Sequence, residues 1–419
     1  MSLATTHTLP GPEILDPRRY AADGYPHADW AQLRRESPVH WCGRDVGESF
    51  WAITKRDDIV HASRNPEIFE NSPRLLMSFE PGINAEDFPV RMLLNMDPPD
   101  HRAYRSLVSQ RFTPRALQAI RRRVDSIADE ILDGVMEDGA ESETDFVATV
   151  SSLLPIWVIA EMLGVPRSDW ELLFSWTNRT IGAADPEYRE GDATPRETMD
   201  SARLALFEYF NHMTEDRRKN PRDDLVSILA NSEVGGEPLP PFELLSFYLL
   251  LVVAGNETTR NATSGGLLAL IENPGEHEKV RRDPSLLKPL VEEILRWTSP
   301  VIHFCRTPNR DVEIRGQTIR AGERMVLFYP SANRDEDVFE SPNEFRADRR
   351  PNRHVAFGIG EHFCLGAHVA RLELEVIFRH LVQRLDHVEL AGPLERLHSS
   401  VVGGIKHMPI RYRLRPADG

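Results

Sequence analysis

The chain has 419 residues, of which 41% are hydrophobic and 27% are charged, and its formal net charge at pH 7 is −15. This composition is ordinary for a globular protein, and the acidic balance argues against nucleic acid as a partner. The longest apolar run, residues 247–254, is far too short to cross a bilayer, which argues against a membrane-spanning helix.

The N-terminal segment and the cysteines indicate the compartment. Residues 1–16 show no basic start followed by an apolar core, so we expect neither a signal peptide nor a membrane anchor. Cys42, Cys305 and Cys364 make an unpromising disulfide framework and fit a reducing compartment. These features favour a bacterial type of soluble enzyme, located in the cytoplasm.

The N-terminal part of the chain predicts little regular structure. Residues 1–40, rich in proline and aromatic residues, are expected to form an extended arm laid over a larger body. Residues 50–54 are strand-like, and residues 57–63 predict a short helix. Residues 71–94 mix prolines with apolar side chains without a steady period, which predicts a long irregular loop. Such a loop is often functional, although packing on the core is an equal alternative.

Helical patterns dominate from residue 100 onward. Residues 100–136 predict two helices broken near Pro114, and residues 149–163 predict another. Residues 181–194 are polar and predict a link between two helices that could move as a lid. Helical spacing resumes over residues 201–219.

The longest helical pattern covers residues 242–272 and is apolar nearly all round, which places it through the centre of the body. A further helix is predicted over residues 286–297. Short strand-like runs follow at residues 312–314, 317–319 and 325–328. No linker indicates a second domain, so we expect one domain over residues 1–419, mainly α with a small β region.

Residues 357–366, with the sequence FGIGEHFCLG, combine glycines with one thiol directly before a helical segment. Glycines let a flat ligand approach the main chain closely. Cys364 lies just before the predicted helix N-terminus, where the helix dipole favours a thiolate, the form that binds iron. The Phe-Gly-x-Gly-x-x-x-Cys-x-Gly pattern resembles the haem-binding loop of the cytochrome P450 monooxygenases. The alternative is a buried cysteine with a structural role.

The resemblance implies a cytochrome P450 fold, with haem b between the long central helix and the helix after the cysteine loop. Cys364 would ligate the iron, and Phe357, Gly358 and Gly366 would flank the haem. The haem propionates need cationic or hydrogen-bonding partners. The resemblance assigns this role to His101, Arg105, Arg306 and His354, each of which could instead be an ordinary surface residue.

The central helix carries the run AGNETTRN at residues 254–261. A glycine inside a helix costs about 0.5–1 kcal/mol relative to alanine, so we expect a functional gain to offset that cost. Ala254 and Gly255 would leave room for oxygen, while Glu257 would relay protons and Thr258 would donate a hydrogen bond. This arrangement resembles the acid–alcohol pair of the P450 family. Taken alone, the same run would indicate a solvated helix face or an N-cap.

Glu293 and Arg296 are spaced i, i+3 and can pair on one helix face. The family resemblance implies that this is the buried structural pair of the P450 fold, with a third member before the cysteine loop. Arg349 is the expected third member. Because two arginines adjoin there, Arg350 remains the alternative.

A local cluster of arginines stands out in an acidic protein. It predicts a docking patch for an acidic electron carrier, a ferredoxin with its NAD(P)H-dependent reductase, because the chain has no flavin or iron–sulfur segment of its own. The alternative is a solvated helix face. The residues of this arginine cluster are Arg102, Arg111, Arg115, Arg121, Arg122 and Arg123.

The register of these motifs predicts an apolar substrate pocket, and therefore a lipophilic substrate. Its predicted wall residues, each of which could instead be plain core, are Leu250, Val253, Ile302, Phe304, Val401 and Val402. Asn256 and the runs at 301–303 and 331–335 are similar to the bacterial P450 branch that oxidises steroids, branched lipids or terpenoids.

The sequence therefore predicts a monomeric haem-thiolate monooxygenase that inserts one atom of O₂ into a C–H bond. One alternative is a haem-thiolate peroxygenase or isomerase that needs no external electrons. Another is a haem sensor or carrier without enzymatic activity, for which no accessory output domain is visible.

Overall fold

The computed structural model describes residues 9–44, 48–72, 75–77, 91–135, 141–183, 185–189 and 191–415. The helices are α1 (Pro17–Asp23), α2 (His27–Glu36), α3 (Arg56–Arg64), α4 (Asp100–Ser109), α5 (Pro114–Val135), α6 (Leu153–Leu163), α7 (Trp170–Ile181), α8 (Pro195–Lys219), α9 (Leu225–Ala230), α10 (Pro241–Glu272), α11 (Pro274–Arg282), α12 (Leu287–Thr298), α13 (Tyr329–Ala332) and α14 (Ala367–Arg384). The strands are β1 (Val39–Cys42), β2 (Phe50–Ile53), β3 (Phe69–Glu70), β4 (Glu141–Asp145), β5 (Glu233–Val234), β6 (Glu237–Pro238), β7 (His303–Pro308), β8 (Val312–Ile314), β9 (Gln317–Ile319), β10 (Met325–Phe328), β11 (Leu385–Leu390), β12 (Glu395–Arg396), β13 (Ile405–His407) and β14 (Pro409–Leu414). The predicted class, mainly α with a small β region, is confirmed.

Helix α10 runs through the middle of the helical body, as predicted. It begins at Pro241, whose ring suits the first turn of a helix, and it extends for 32 residues. At 1.5 Å per residue this length is about 48 Å. Helices α6, α7, α8, α12 and α14 all pack against it, which explains why apolar side chains surround it on nearly every face. No helix among the described residues combines the length and the apolar character needed to cross a membrane.

The largest sheet has the strand order β1-β2-β10-β7-β3. Strand β10 pairs with β2 in parallel and with β7 in antiparallel register, with Val326 opposite Cys305. Because alternate residues of a strand point to the same face, Phe304 and Arg306 of β7 share one face, and both reach the cavity described below.

The prediction of an extended arm over residues 1–40 is wrong for residues 9–40. This segment forms α1, α2 and the start of β1, while residues 1–8 lie outside the described part of the chain. Proline here starts a helix: Asp16 caps α1 by accepting the Arg18 N–H at 3.0 Å, and Pro17 fills the first helical position. Trp30, fully buried, then faces the core from α2.

The two segments that the sequence treats as loops are only partly described. In the predicted loop 71–94, residues 73–74 and 78–90 lie outside the described residues. In the predicted lid 181–194, residues 184 and 190 do so, and a short 3-10 turn spans Pro186–Tyr188. Strand β4 and the C-terminal strands were not predicted, and β11, β14 and β4 form a separate sheet.

Candidate active site

A cavity of about 1570 Å³, part of it open to solvent, separates α10 from the cysteine loop (residues 357–366). Its walls are mostly apolar, with charged and imidazole side chains among them. Twelve of the residues predicted for the site line this cavity: Cys364, Phe357, Gly358, Gly366, His101, Arg105, Arg306, Ala254, Gly255, Thr258, Leu250 and Phe304.

The cysteine loop folds back on itself ahead of α14. The Cys364 N–H donates to the Phe357 carbonyl at 2.9 Å, and the Gly358 N–H donates to the Val355 carbonyl at 2.9 Å. Gly360 has φ +78°, and a Cβ atom there would lie 2.4 Å from the Ser63 carbonyl oxygen. Only glycine therefore fits this close approach of the loop to the end of α3.

The electrostatic environment of Cys364 differs from the prediction that the helix terminus favours a thiolate. Burial raises the pKa of the Cys364 thiol, although the Gly366 N–H and the charges of Arg105 and Arg371 act in the opposite direction. Desolvation of a charge outweighs these contacts in the protein alone. A bound metal ion is the additional positive charge that would hold the sulfur as a thiolate.

On α10, the hydroxyl of Thr258 lines the cavity and donates to the Ala254 carbonyl at 3.0 Å. The neighbouring residue Gly255 also has a packing reason to be glycine. A Cβ atom at this position would lie 3.0 Å from Cγ1 of Ile159 on α6. The glycine therefore permits close contact between α6 and α10, a reason that the sequence did not suggest.

Glu257 is 1% exposed and does not line the cavity. Its carboxylate is hydrogen-bonded to Arg260, and Arg260 Nη1 donates to Asn178 Oδ1 of α7 at 2.9 Å. Asn256 Nδ2 donates to Thr177 Oγ1 of the same helix at 3.0 Å. Burial raises the pKa of Glu257, whereas Arg260 opposes this shift. The acid expected to relay protons is thus held behind the cavity wall and linked to α7.

Cationic and imidazole side chains meet at one edge of the cavity. His101 and Arg105 lie one turn apart on α4, and Arg306 reaches the same cavity from β7. His362, which sequence reasoning missed, also lines the cavity, and its ring centroid lies 4.0 Å from that of His101. Its position inside the quoted loop, two residues before Cys364, was the available signal.

His354 does not join this edge, contrary to the prediction. Its Nε2 lies 3.0 Å from Glu292 Oε2 on α12, and its Nδ1 accepts the Ala356 N–H at 3.2 Å. The turn of the main chain between Val355 and Gly358 separates His354 from the loop residues that face the cavity.

The residues present fit a haem. One thiol faces a large apolar cavity, and two arginines with two histidines stand at one edge, where the carboxylates of a haem would need partners. The Nε2 atom of His362 is buried and has no hydrogen-bond partner among the described residues. An acceptor group at this edge would satisfy it.

The predicted structural pair, Glu293 and Arg296, is in direct contact with its predicted third member, Arg349. Arg296 donates to the two Glu293 oxygens at 2.8 and 2.7 Å, and Arg349 Nε lies 3.0 Å from both. All three side chains are buried, whereas Arg350 is exposed. The geometry therefore places Arg349, and not the alternative Arg350, on Glu293.

Among the predicted pocket walls, Leu250 and Phe304 line the cavity, but four others do not. Val253 lies on another side of α10 from Leu250 and Ala254, is partly buried and packs against the core. Ile302 is fully buried in a cluster with Trp30. The residues Val401 and Val402 belong to a turn tied to residues 301 and 302 by main-chain pairing.

Several lining residues were missed. Phe247 and Leu251 follow the helical spacing of Leu250, Ala254 and Thr258, so the period of α10 was an available signal. Other elements also contribute lining residues that were not predicted individually. Among them are Leu75 and Leu94 of the predicted loop 71–94, Phe112, Ile159 and Val301.

The arginine cluster is partly neutralised by acidic neighbours. Arg102 pairs with Glu361 at 2.8 Å, Arg121 with Glu375 at 3.2 Å, and Arg123 with Glu161 at 3.3 Å. Arg111 also pairs, with Asp223. Arg115 and Arg122 are exposed on α5.

Comparison with known proteins supports the interpretation of this cavity as a haem site. The family model described as Cytochrome P450 matches residues 77–406. The steroid C26-monooxygenase of Mycobacterium tuberculosis is 38% identical over 417 residues, covering 96% of this chain and 93% of the relative. A methyl-branched lipid omega-hydroxylase of the same species is 39% identical, covering 91% and 90%. A Mycobacterium marinum cytochrome P450 solved with pseudoionone superposes with TM-score 0.88 at 36% identity, covering 96% and 99%.

Proposed function

This chain belongs to the cytochrome P450 family, and from that premise we propose that it hydroxylates a lipophilic substrate of the steroid, branched-lipid or terpenoid class. Haem as the cofactor and monooxygenase activity in general follow from family membership. The observation that carries the finer proposal is the mainly apolar cavity that α10 and β7 form beside Cys364. A cavity of this kind takes apolar ligands and orients them through few polar contacts.

Each group of residues has a distinct part in this proposal. Haem, when bound, supplies the chemistry that cleaves the O–O bond, favoured by a thiolate ligand. Cys364 would be that ligand. Arg105, Arg306, His101 and His362 would bind the haem carboxylates at the cationic edge of the cavity.

Proton supply is assigned to Thr258 and Glu257. The Thr258 hydroxyl already faces the cavity and needs only to turn from the Ala254 carbonyl to donate into it. Glu257 is bound as a carboxylate by Arg260, so we propose that it takes up a proton and passes it to Thr258 only when that contact opens. This step keeps the buried acid from exchanging protons with solvent at other times.

Electrons are proposed to come from a ferredoxin and its NAD(P)H-dependent reductase. Support comes from Arg115 and Arg122, which are exposed and lie seven residues apart on α5, and therefore on one face of that helix. Helix α5 packs against α14, the helix that begins at the cysteine loop. The cytoplasmic location, the monomeric state and the single domain over residues 1–419 stay predictions.

The carbon monoxide difference spectrum of the reduced protein tests the central assignment. The wild-type protein should show the strongly red-shifted Soret band of thiolate ligation, and Cys364→Ser should lose this band together with the monooxygenase activity. Cys305→Ser, which changes a buried cysteine on the other face of β7, should keep the band. A histidine-type spectrum in the wild-type protein would overturn the proposal.

A ligand panel tests the substrate class. Steroids, terpenoids and fatty acids should bind to the haem-loaded protein and shift its Soret band, whereas charged hydrophilic compounds should not. Turnover supported by peroxide alone, with no gain from ferredoxin and reductase, would favour the peroxygenase alternative.

A further inference from the structure

Glu361 connects the cysteine loop to α4 through a single carboxylate. Oε2 accepts hydrogen bonds from Arg102 Nη2 at 2.8 Å and from Nε at 3.1 Å. Oε1 lies 3.3 Å from His101 Nδ1. The Glu361 side chain is only 10% exposed, although Arg102 is 72% exposed. The carboxylate is therefore shared between a surface arginine and a buried histidine.

The hydrogen-bond chemistry of this contact requires hydrogen on Nδ1 of His101. Burial works against ionisation of Glu361, but the hydrogen bonds from Arg102 and His101 hold its pKa below the usual range. An ionised carboxylate only accepts hydrogen bonds. The hydrogen of the contact must therefore reside on His101 Nδ1, which leaves Nε2 for the cavity that His101 lines. A haem carboxylate accepts a hydrogen bond from Nε2 only when that nitrogen also carries hydrogen, so His101 would bind it as an imidazolium with one carboxylate at each nitrogen. Burial lowers the pKa of His101, and Glu361 opposes that shift.

A second residue, His362, restrains the ring of His101 by packing against its face. His362, the residue after Glu361, packs against it with a centroid separation of 4.0 Å and an angle of 41° between the rings. His101 itself is 1% exposed. Two consecutive residues of one short turn thus restrain the same imidazole, Glu361 at its edge and His362 at its face.

We propose that Glu361 is a positioning residue for the cofactor, which holds the ring orientation of His101 and stabilises its imidazolium form, so that Nε2–H donates to a haem carboxylate. This inference deepens the function proposed above and rests on the assignment of His101 to the cationic edge. Arg102 contacts the same carboxylate from the solvent side, where an exposed ion pair contributes little.

The test measures haem loss from the ferric holoenzyme to an excess of apomyoglobin. Glu361→Ala should transfer haem about tenfold faster than wild type, because residues that orient a ligand from behind typically contribute 10–100-fold to affinity. Glu361→Gln, whose amide oxygen still accepts from Nδ1–H, should show a smaller effect. Arg102→Ala is the matched control, since it removes the surface partner and keeps the His101 contact, and it should change the rate less than about twofold.

A second readout separates positioning from general loosening of the fold. The propionate-bending band in the resonance Raman spectrum should shift in Glu361→Ala, because a hydrogen-bond donor to the carboxylate is misplaced. A mutant cycle with His101→Phe should then be strongly non-additive, so that Glu361→Ala adds nothing in the His101→Phe background.

The outcomes separate the two assignments. If His101→Phe speeds haem transfer but Glu361→Ala does not, or if the two effects add, the inference about Glu361 is overturned and the cationic edge stands. If His101→Phe itself leaves the transfer rate and the Raman band unchanged, both assignments fail. The carbon monoxide spectrum of the wild-type protein reports on the monooxygenase assignment independently of either result.

Discussion

At the scale of single residues, α10 shows how neighbouring side chains can have separate tasks. Thr258 faces the cavity, Gly255 permits close packing on Ile159, and Glu257 is buried behind the wall with Arg260. Glu257 is held by Arg260, which is bound in turn to Asn178 of α7, so the acid points away from the cavity that the alcohol faces. Their cooperation depends on the contacts that surround Glu257.

Removing the Thr258 hydroxyl tests its role in proton supply. Thr258→Ala should keep haem and substrate binding but release peroxide, and the ratio of product to NAD(P)H consumed should fall by about tenfold or more. Thr263→Ala is a matched control, because Thr263 makes the same backbone contact, to the Thr259 carbonyl at 2.9 Å, away from the cavity. Full coupling in Thr258→Ala would remove the assigned role.

At the scale of elements, charged contacts join segments that are distant in the chain. Glu293 and Arg296 tie α12 to Arg349 in the segment before the cysteine loop. At another place, Lys406 and the neighbouring His407 of β13 bind the part of the predicted lid that contains Asp185 and Glu187. The first set is buried, whereas His407 and Glu187 of the second set are half-exposed, so the two sets should respond differently to mutation and pH.

The buried set should be costly to break. Arg349→Ala leaves the Glu293 carboxylate without one of its two buried arginines, and we expect the free energy of unfolding to fall by about 3–5 kcal/mol. Arg350→Ala, which removes the exposed neighbour, should have almost no effect. Urea unfolding of both variants measures the difference. Equal losses would mean that Arg349 adds nothing beyond surface charge.

The half-exposed set should depend on pH. The hydrogen bond to Asp145, together with that to Glu187, raises the pKa of His407 above its usual range, although burial opposes the shift. A raised pKa in the folded state stabilises the protein fully below the unfolded-state pKa of about 6.5, and this contribution disappears as the pH rises through the raised value.

His407→Gln checks this pH dependence. The thermal midpoint of the variant should lie below that of the wild-type protein at acidic pH, and the difference should shrink as the pH increases past neutrality. Lys406 Nζ lies 2.8 Å from Glu187 and 3.1 Å from Asp185, and it keeps its charge throughout this range. A difference that is constant from pH 5.5 to 9, a range chosen to bracket the ordinary histidine pKa of about 6.5, would show that His407 does not act through its charge.

At the scale of the whole molecule, the proposed ferredoxin would be an acidic electron carrier that a strongly acidic protein has to attract. The formal net charge is −15, and four arginines of the cluster are paired with acidic groups. Electrostatic steering of the carrier would therefore depend on a local positive potential. The exposed residues Arg115 and Arg122 supply this potential on α5.

Charge reversal tests this docking face. Arg115→Glu combined with Arg122→Glu should slow reduction by ferredoxin about tenfold or more at low ionic strength, with a smaller effect at high salt. Arg196→Glu combined with Arg222→Glu makes the same change in net charge at exposed positions on other segments and should have little effect. Stopped-flow reduction at several salt concentrations distinguishes the two pairs. An equal effect of both would mean that only net charge matters.

The sequence by itself determined those features whose residues lie close together in the chain. The cysteine loop, the run at residues 254–261 and the Glu293–Arg296 pair each lie within one local segment, where backbone geometry sets the relative positions of the side chains. These segments were enough to predict the family, the haem and the central helix.

Only the tertiary structure decided which side chains meet across segments. It placed His362 instead of His354 at the cationic edge, put Arg349 on Glu293, and left Ile302 in the core. It also showed that residues 9–40 fold into α1, α2 and the start of β1. These outcomes depend on the direction of a side chain relative to distant elements, which long-range packing sets and local spacing does not encode.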